Sequence, residues 1–375
     1  MQTHWQAPAA SPSSSQRPEA RTLAGLSATE AADLAACRES LRNGSRTFLA
    51  ASLLLPRAVR EPACALYAFC RMADDEVDGD ASEGDAVNRL RERLERAYQG
   101  RPFAAPCDRA LAVMLARYAI PQAIPEALLE GFAWDAEGRR YETLADLEAY
   151  AARVAGTVGA MMALLMGVRS PASLARACDL GVAMQLSNIA RDVGEDARMG
   201  RIYLPLSWLR EAGIAPDDWL ARPVHSAALA SVVERLLRAA DALYERVDSG
   251  VAELPLACRP GINAARFLYA GIGHEVQRRG LDSVNRRAVV PASRKAWLLG
   301  RAMVGLFPAR TRVDAPPLEA TAFLVDAVAA TAPRAAEAPL KAPSRRGVND
   351  SVVWVIDLFE RLERRDQMQR TASVP

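Results

Sequence analysis

Only two of the 47 basic residues are lysines, Lys295 and Lys341. The rest are arginines, and with alanine so abundant this bias reads as genome composition, so a lone arginine says little about phosphate binding. Histidine is scarce too. His4, His225 and His274 are too few and too dispersed for a histidine metal site. The six cysteines include no C-x-x-C pair and no histidine at a zinc-like interval, which excludes a zinc framework. They read as reduced thiols of a cytoplasmic protein. Residues 1–20 lack an apolar core, so no signal peptide is expected. The longest apolar run, Met161 to Val168, falls far short of the roughly 20 residues that span a bilayer. A net charge of +2 gives no reason to expect a nucleic-acid partner. No G-x-G-x-x-G follows a strand and no Walker motif occurs, so no nicotinamide cofactor is expected. Aromatics are 6% of the chain, and Val and Ile never gather into the short alternating runs of strands.

What remains is a chain that is 50% hydrophobic and rich in Ala, Leu, Arg and Glu. That composition favours helix, and 375 residues can bury a large core. Prolines such as Pro56, Pro62, Pro102, Pro121, Pro171, Pro205 and Pro260 divide it into segments of helical length. By composition, residues 1–25 read as a disordered tail. A helical domain follows over 26–305, opening near Ser27-Ala28-Thr29-Glu30. Residues 306–348, rich in Ala, Pro and Arg, read as a linker. In 349–368, Val352, Val355, Ile356, Phe359 and Leu362 recur at helical spacing opposite charged residues, which predicts an amphipathic C-terminal helix.

Two segments carry chemistry. In PACALYAFCRMADDEVDGD, Pro62 suits a first helical turn. Tyr67, Arg71, Asp74, Asp75 and Asp78 fall on one face of an otherwise apolar helix. Asp74 and Asp78 sit about 40° apart around the axis, a like-charge spacing that disfavours a helix unless a cation offsets it. Carboxylates without His or Cys suit a hard ion, Mg²⁺ or Mn²⁺. Alone, the row reads as a solvated acidic helix end as readily as a cation site. In DLGVAMQLSNIARDVGEDARMGRIYLP, Gln185, Asn188, Asp192, Glu195 and Asp196 again share a face, and buried carboxylates need a partner or a metal. Arg191, Arg201 and Tyr203 flank them and suit a phosphate, although Arg191 equally suits plain neutralisation of Asp192 or Glu195. Two such rows facing each other across a bundle would frame a pocket with metal ions at its mouth.

Together these motifs resemble the squalene/phytoene synthase family. YAFCRMADDEVD is similar to its first aspartate motif and QLSNIARDVGEDARMGRIYLP to its second. GSRTF (Gly44 to Phe48), WDAEGRRYETLADLEAY, RVAGTVGAMM and CRPGINAARFLYAGIGHEV resemble further family segments, so the likeness spans about residues 35–305. One departure is that members often carry Tyr-x-Tyr before the VAG segment, where this chain has Tyr150, Ala151 and Ala152.

The resemblance implies an all-α, isoprenoid-synthase-type bundle of one domain with a central cavity. It implies Mg²⁺ or Mn²⁺ held by Asp74, Asp78, Asn188, Asp192 and Asp196. Ser45, Arg46, Phe48, Arg71, Arg191, Arg201, Tyr203 and Arg286 become substrate-binding candidates, and Tyr67, Gln185 and Tyr269 would line the reacting centre. The implied reaction joins two geranylgeranyl diphosphates to phytoene through a cyclopropyl diphosphate, with the helix at 153–168 a candidate floor of the cavity. The implied setting is a cytoplasmic enzyme touching the membrane peripherally, with other carotenoid enzymes as partners. Farnesyl diphosphate as substrate, giving squalene or dehydrosqualene, is the alternative within the fold. A non-catalytic relative serving as a scaffold is the alternative outside it, and the intact motif carboxylates weigh against that.

Overall fold

A computed structural model of the chain describes residues 27–44, 51–77, 83–304 and 315–331. Among them every regular element is helical. The first helix, α1 (Ala28–Gly44), starts where the sequence placed a cap. The Glu30 amide donates to Ser27 Oγ at 3.2 Å and the Ser27 amide to Glu30 Oε2 at 2.7 Å, a reciprocal capping box. Helix α2 (Arg57–Val77) begins five residues before Pro62, so that proline lies inside the helix rather than in its first turn. Pro62 has no N–H for the Ala58 carbonyl, and the Tyr118 hydroxyl donates to that oxygen instead, at 3.2 Å.

Then come α3 (Glu83–Tyr98), α4 (Pro106–Arg117), α5 (Ala123–Ala136) and α6 (Leu144–Ala151). A π-turn at Ala152–Gly156 leads into α7 (Thr157–Leu165), followed by the 28-residue α8 (Pro171–Arg198). After α9 (Leu206–Glu211) and α10 (Pro216–Ala221) come α11 (Ala227–Glu253), α12 (Arg259–Arg278), α13 (Ala292–Val304) and α14 (Glu319–Ala330). Prolines open α4, α8 and α10, where a missing N–H costs nothing.

Helix α8 threads both large cores. Its Leu174, Ala175 and Cys178 join Leu66, Phe69 and Ala73 of α2 and Met161, Leu164 and Leu165 of α7. Its Leu186, Ile189, Ala190 and Val193 join Val233, Leu236, Leu237 and Leu243 of α11. Each Leu, Ile, Val, Phe or Met among them, fully buried, is worth about 1.5–3 kcal/mol of transfer from water. Helix α7 packs against both α2 and α8, so the two helices of the carboxylate rows are tied to a common neighbour. Backbones meet where α8 crosses the π-turn and α7. A Cβ on Gly159 would stand 2.1 Å from the Ala177 oxygen, and one on Gly181 2.2 Å from the Ala155 oxygen.

The stretch 306–348 is not simply a linker: its described part, residues 315–331, carries α14. Thr321, Leu324, Val325 and Val328 recur at helical spacing and are buried. Leu324, Val325 and Val328 close the same core as α2 and α7. The segment leading into it is gripped by charge. Arg176 Nη1 donates to the Ala315 oxygen at 3.0 Å, and Arg176 Nη2 and Arg246 Nη2 donate to the Pro316 oxygen at 3.2 and 2.5 Å. Asp179, fully buried, holds the two guanidiniums at 2.7 and 3.0 Å. The expected tail at 1–25, the expected helix at 349–368 and the remainder of 306–348 lie outside the described residues.

Candidate active site

The polar row of α8 exists because its other faces are spoken for: Leu186, Ile189, Ala190 and Val193 are buried in the second core. Of the row, Gln185, Asn188, Asp192 and Asp196 are half-buried and Glu195 is exposed. Asp192 is the electrostatic centre. Arg191 Nε donates to its Oδ1 at 2.7 Å, and a second bond runs from Arg191 Nη2 to Oδ2. From the loop after α12, Arg287 Nε donates to the same Oδ1 at 2.8 Å and lies 3.2 Å from Glu195 Oε2. Burial pushes Asp192 up, but the bonds from the two arginines outweigh it and hold the carboxyl below its usual range. Asp196 goes the other way. Burial first, then the charges of Asp192, Glu195 and Asp135 against the opposing Arg201, push it up to about 7.

The arginine arrives by a docked loop. Gly194, inside α8, donates its amide to the Ser283 oxygen at 3.0 Å, and a Cβ there would stand 2.2 Å from the Val284 oxygen. Arg198 Nη2 donates to that Val284 oxygen at 2.8 Å. Asp282 Oδ1 accepts the amides of Val284 and Asn285 at 3.2 and 3.0 Å and fixes the turn. Arg286, exposed, does not join the row. With Arg279, Asp282 and Asn285 it lines a neighbouring cleft of about 430 Å³.

On the other side of the row, Tyr203 donates to Asp135 Oδ1 and Tyr150 to Asp135 Oδ2, both at 2.7 Å. The Tyr203 ring stacks with those of Tyr141 and Tyr150 at 6.3 and 5.3 Å between centroids, and Tyr141 and Tyr150 meet tilted at 5.1 Å. Burial first, then the Asp135 charge, raises the phenols of Tyr150 and Tyr203. Tyr203, expected to bind substrate, also ties the segment after α8 to α5. Arg201 and Tyr203 line a small pocket with Asp196, Ile189 and Trp219.

The remaining candidates scatter more widely. Tyr67 packs at the α1–α2–α4 contact with Cys37, Leu41 and Ala68. Arg71 is exposed and pairs with Asp75 at 2.6 Å. Tyr269 sits at the junction of the core around α8 and α11 with that between α12 and α13. Ser45, Arg46, Phe48 and Asp78 lie outside the described residues, as does the Asp74 side chain, although its backbone is in the last turns of α2. The sequence reading missed Asp135, Tyr150 as its partner, and Arg287. Asp135 and Tyr150 were inside a quoted motif, and only their hydrogen bonding, invisible in sequence, singles them out.

Among the described residues no three Asp, Glu, His or Cys side chains already converge as a metal cage. The residues of α8 nevertheless fit a hard divalent ion. Their donors are all oxygens, Asn188 Oδ1 is buried with no hydrogen-bond partner, and Asp196 is raised by burial first and then by neighbouring carboxylates, both of which a cation would offset.

Residues 41–294 match the family model described as squalene/phytoene synthase. The chain belongs to the squalene/phytoene synthase family. It is 50% identical over 357 residues to a phytoene synthase of Cereibacter sphaeroides, covering 91% of this chain and 98% of that one. It is 54% identical over 306 residues to a phytoene synthase of Rhodobacter capsulatus, covering 80% and 90%. Among solved structures it is similar to a dehydrosqualene synthase in complex with a ligand, with a TM-score of 0.66 at 32% identity, covering 74% of this chain and 97% of that one. This squalene/phytoene synthase is thus an all-helical enzyme of the isoprenoid-synthase fold.

Proposed function

We propose that this enzyme joins two geranylgeranyl diphosphates head to head, through a cyclopropyl diphosphate, to phytoene, releasing two diphosphates. The observation that carries this is 50–54% identity, over 80–91% of the chain, to relatives named phytoene synthase. Asn188, Asp192 and Asp196 would hold Mg²⁺ or Mn²⁺, together with Asp74 and Asp78 of the first aspartate motif. A bound divalent ion supplies Lewis-acid stabilisation of the departing diphosphate. Arg191, Arg201 and Arg287 add preorganised cationic donors at the same place. Met161, Leu164 and Leu165 belong to an apolar core that keeps water from the allylic cation. Tyr150 and Tyr203, their phenols raised, stay protonated and serve as donors; the final proton goes to released diphosphate, directly or through the hydroxyl of Tyr67 or Tyr269, which passes its own proton on to the diphosphate. Full activity of both Tyr67→Phe and Tyr269→Phe would leave diphosphate as the direct acceptor.

A second reading, a farnesyl-diphosphate enzyme making dehydrosqualene or squalene, is favoured by the 32% identity to a dehydrosqualene synthase. Product analysis with farnesyl and geranylgeranyl diphosphates, each with and without NADPH, decides. A forty-carbon product supports the first reading and a thirty-carbon product the second. No product from either revives the scaffold.

Among the described residues no helix is long and apolar enough to cross a membrane. Since substrate and product are both lipophilic, we read the enzyme as working on the cytoplasmic face of a membrane, peripherally bound.

A further inference from the structure

Four tryptophans fall among the described residues. Trp208 and Trp219 are buried. Trp134 is half-buried and covered by the guanidiniums of Arg139 and Arg153, at 3.9 and 4.2 Å from its ring. Trp297 alone stands out, 59% exposed on α13. Its neighbours Leu298, Leu299 and Ala302 turn inward onto Leu268 and Ile272 of α12. The outward face therefore has its own composition. Arg294, half-buried with its Nε out of solvent, and the exposed Trp297 and Arg301 follow one another at i, i+3 and i+7, a single stripe.

The stripe is chemically one-sided. From Arg286 to Val304 the chain carries Arg286, Arg287, Arg294, Lys295 and Arg301, and no acidic residue. Among the described residues no carboxylate pairs with Arg294 or Arg301. Arg301 instead lies over the Phe267 ring at 4.4 Å and 5.9 Å from that of Trp297. Val289, just before α13, is 47% exposed. An exposed indole flanked by uncompensated guanidiniums is poorly served by water on its apolar side and by protein on its charged side. A bilayer interface serves both, because indole rings settle at the headgroup level and anionic headgroups attract nearby cations.

We propose that the outer stripe of α13, Arg294–Trp297–Arg301, is the surface by which this enzyme docks on an anionic lipid bilayer. The proposal rests on the peripheral-membrane reading above and adds to it the face that touches. The stripe leads directly from the loop that carries Arg287 onto Asp192, so docking sets the carboxylate row one loop away from the lipid that stores its substrate and takes its product.

The test is flotation of the full-length chain with vesicles of phosphatidylcholine alone or with about one-third phosphatidylglycerol. Wild type is expected to float with the anionic vesicles only. The pair Arg294→Glu/Arg301→Glu should lower its partitioning by about 30-fold or more, and Trp297→Ser should lower it as well. Brominated lipid should quench tryptophan fluorescence in wild type and lose most of that effect in Trp297→Phe. Turnover of detergent-dispersed substrate should match wild type in all of these variants. If wild type floats and the variants float equally, the peripheral reading stands and this surface is wrong. If deleting 349–368 alone abolishes flotation, that helix is the anchor and the stripe is overturned. If wild type does not float, both readings fall.

Discussion

Arg287 and Asp192, 95 residues apart in sequence, meet with Nε 2.8 Å from Oδ1. The contact brings a cation from the loop between α12 and α13 onto a carboxylate row that would otherwise repel itself. In the proposed reaction the same guanidinium lies where a diphosphate must be held. Arg287→Ala should lower kcat/KM by roughly 100-fold or more, the scale of losing one preorganised electrostatic donor. Arg287→Lys should recover only part, because an ammonium lacks the planar fork. Steady-state kinetics beside a thermal melt separates this loss from unfolding.

Gly194→Ala should produce a milder version of the same defect. Its Cβ would collide with Val284, so the loop must lift and carry Arg287 with it. Turnover falls while the melting temperature stays close to wild type. By contrast, Gly181→Ala and Gly159→Ala push helix backbones apart inside the core, and should destabilise by at least about 1–3 kcal/mol, the usual cost of overpacking. Denaturant titration of the three variants reads the difference.

Asp135 binds two phenols, and Asp135→Asn removes the charge that disfavours their ionisation. Ultraviolet titration should show Tyr150 and Tyr203 ionising at lower pH in the variant. The raised phenols also fix the sign of a wild-type pH effect. The unfolded chain loses these protons near pH 10 while the folded chain keeps them. Stability is therefore intact below that pH and declines as pH rises past it. A melt series from neutral to strongly alkaline pH checks this, and a stability that rose above pH 10 would contradict it.

Asp179→Ala leaves Arg176 buried without its counter-charge, a change that costs about 3–5 kcal/mol in comparable buried pairs. A chain ending at 314 exposes the core face covered by Leu324, Val325 and Val328 and should aggregate or melt far earlier. One ending at 332 keeps α14 and should melt well above it. Equal melts for the two truncations would show α14 to be dispensable.

The sequence disclosed the helical class and the row on α8 because both are periodic. Asn188, Asp192 and Asp196 sit at steps of four among Leu and Ile, a pattern that needs no tertiary knowledge. It did not disclose Arg287, because the neighbouring Arg286 has the same chemistry and only the docking of Gly194 on Ser283 decides which of the two reaches the row. Tyr203 was legible as a residue of the site but not its partner, since an Asp–Tyr bond between α5 and the exit of α8 leaves no periodic trace. Helix α14 was hidden by composition, its four buried positions diluted by flanking Ala and Pro. Pro62 misled because the acceptor it leaves open is filled by Tyr118, which caps α4 far along the chain.

The grip of Arg176 and Arg246 on Ala315 and Pro316 also bears on how the molecule is made. The bundle from α2 to α8 emerges from the ribosome long before its roof does. Until the segment beginning at Ala315 has been synthesised, two guanidiniums lack their carbonyl acceptors and an oily seam lies open. A stop codon placed ahead of that segment should therefore yield degraded protein rather than a shortened catalyst.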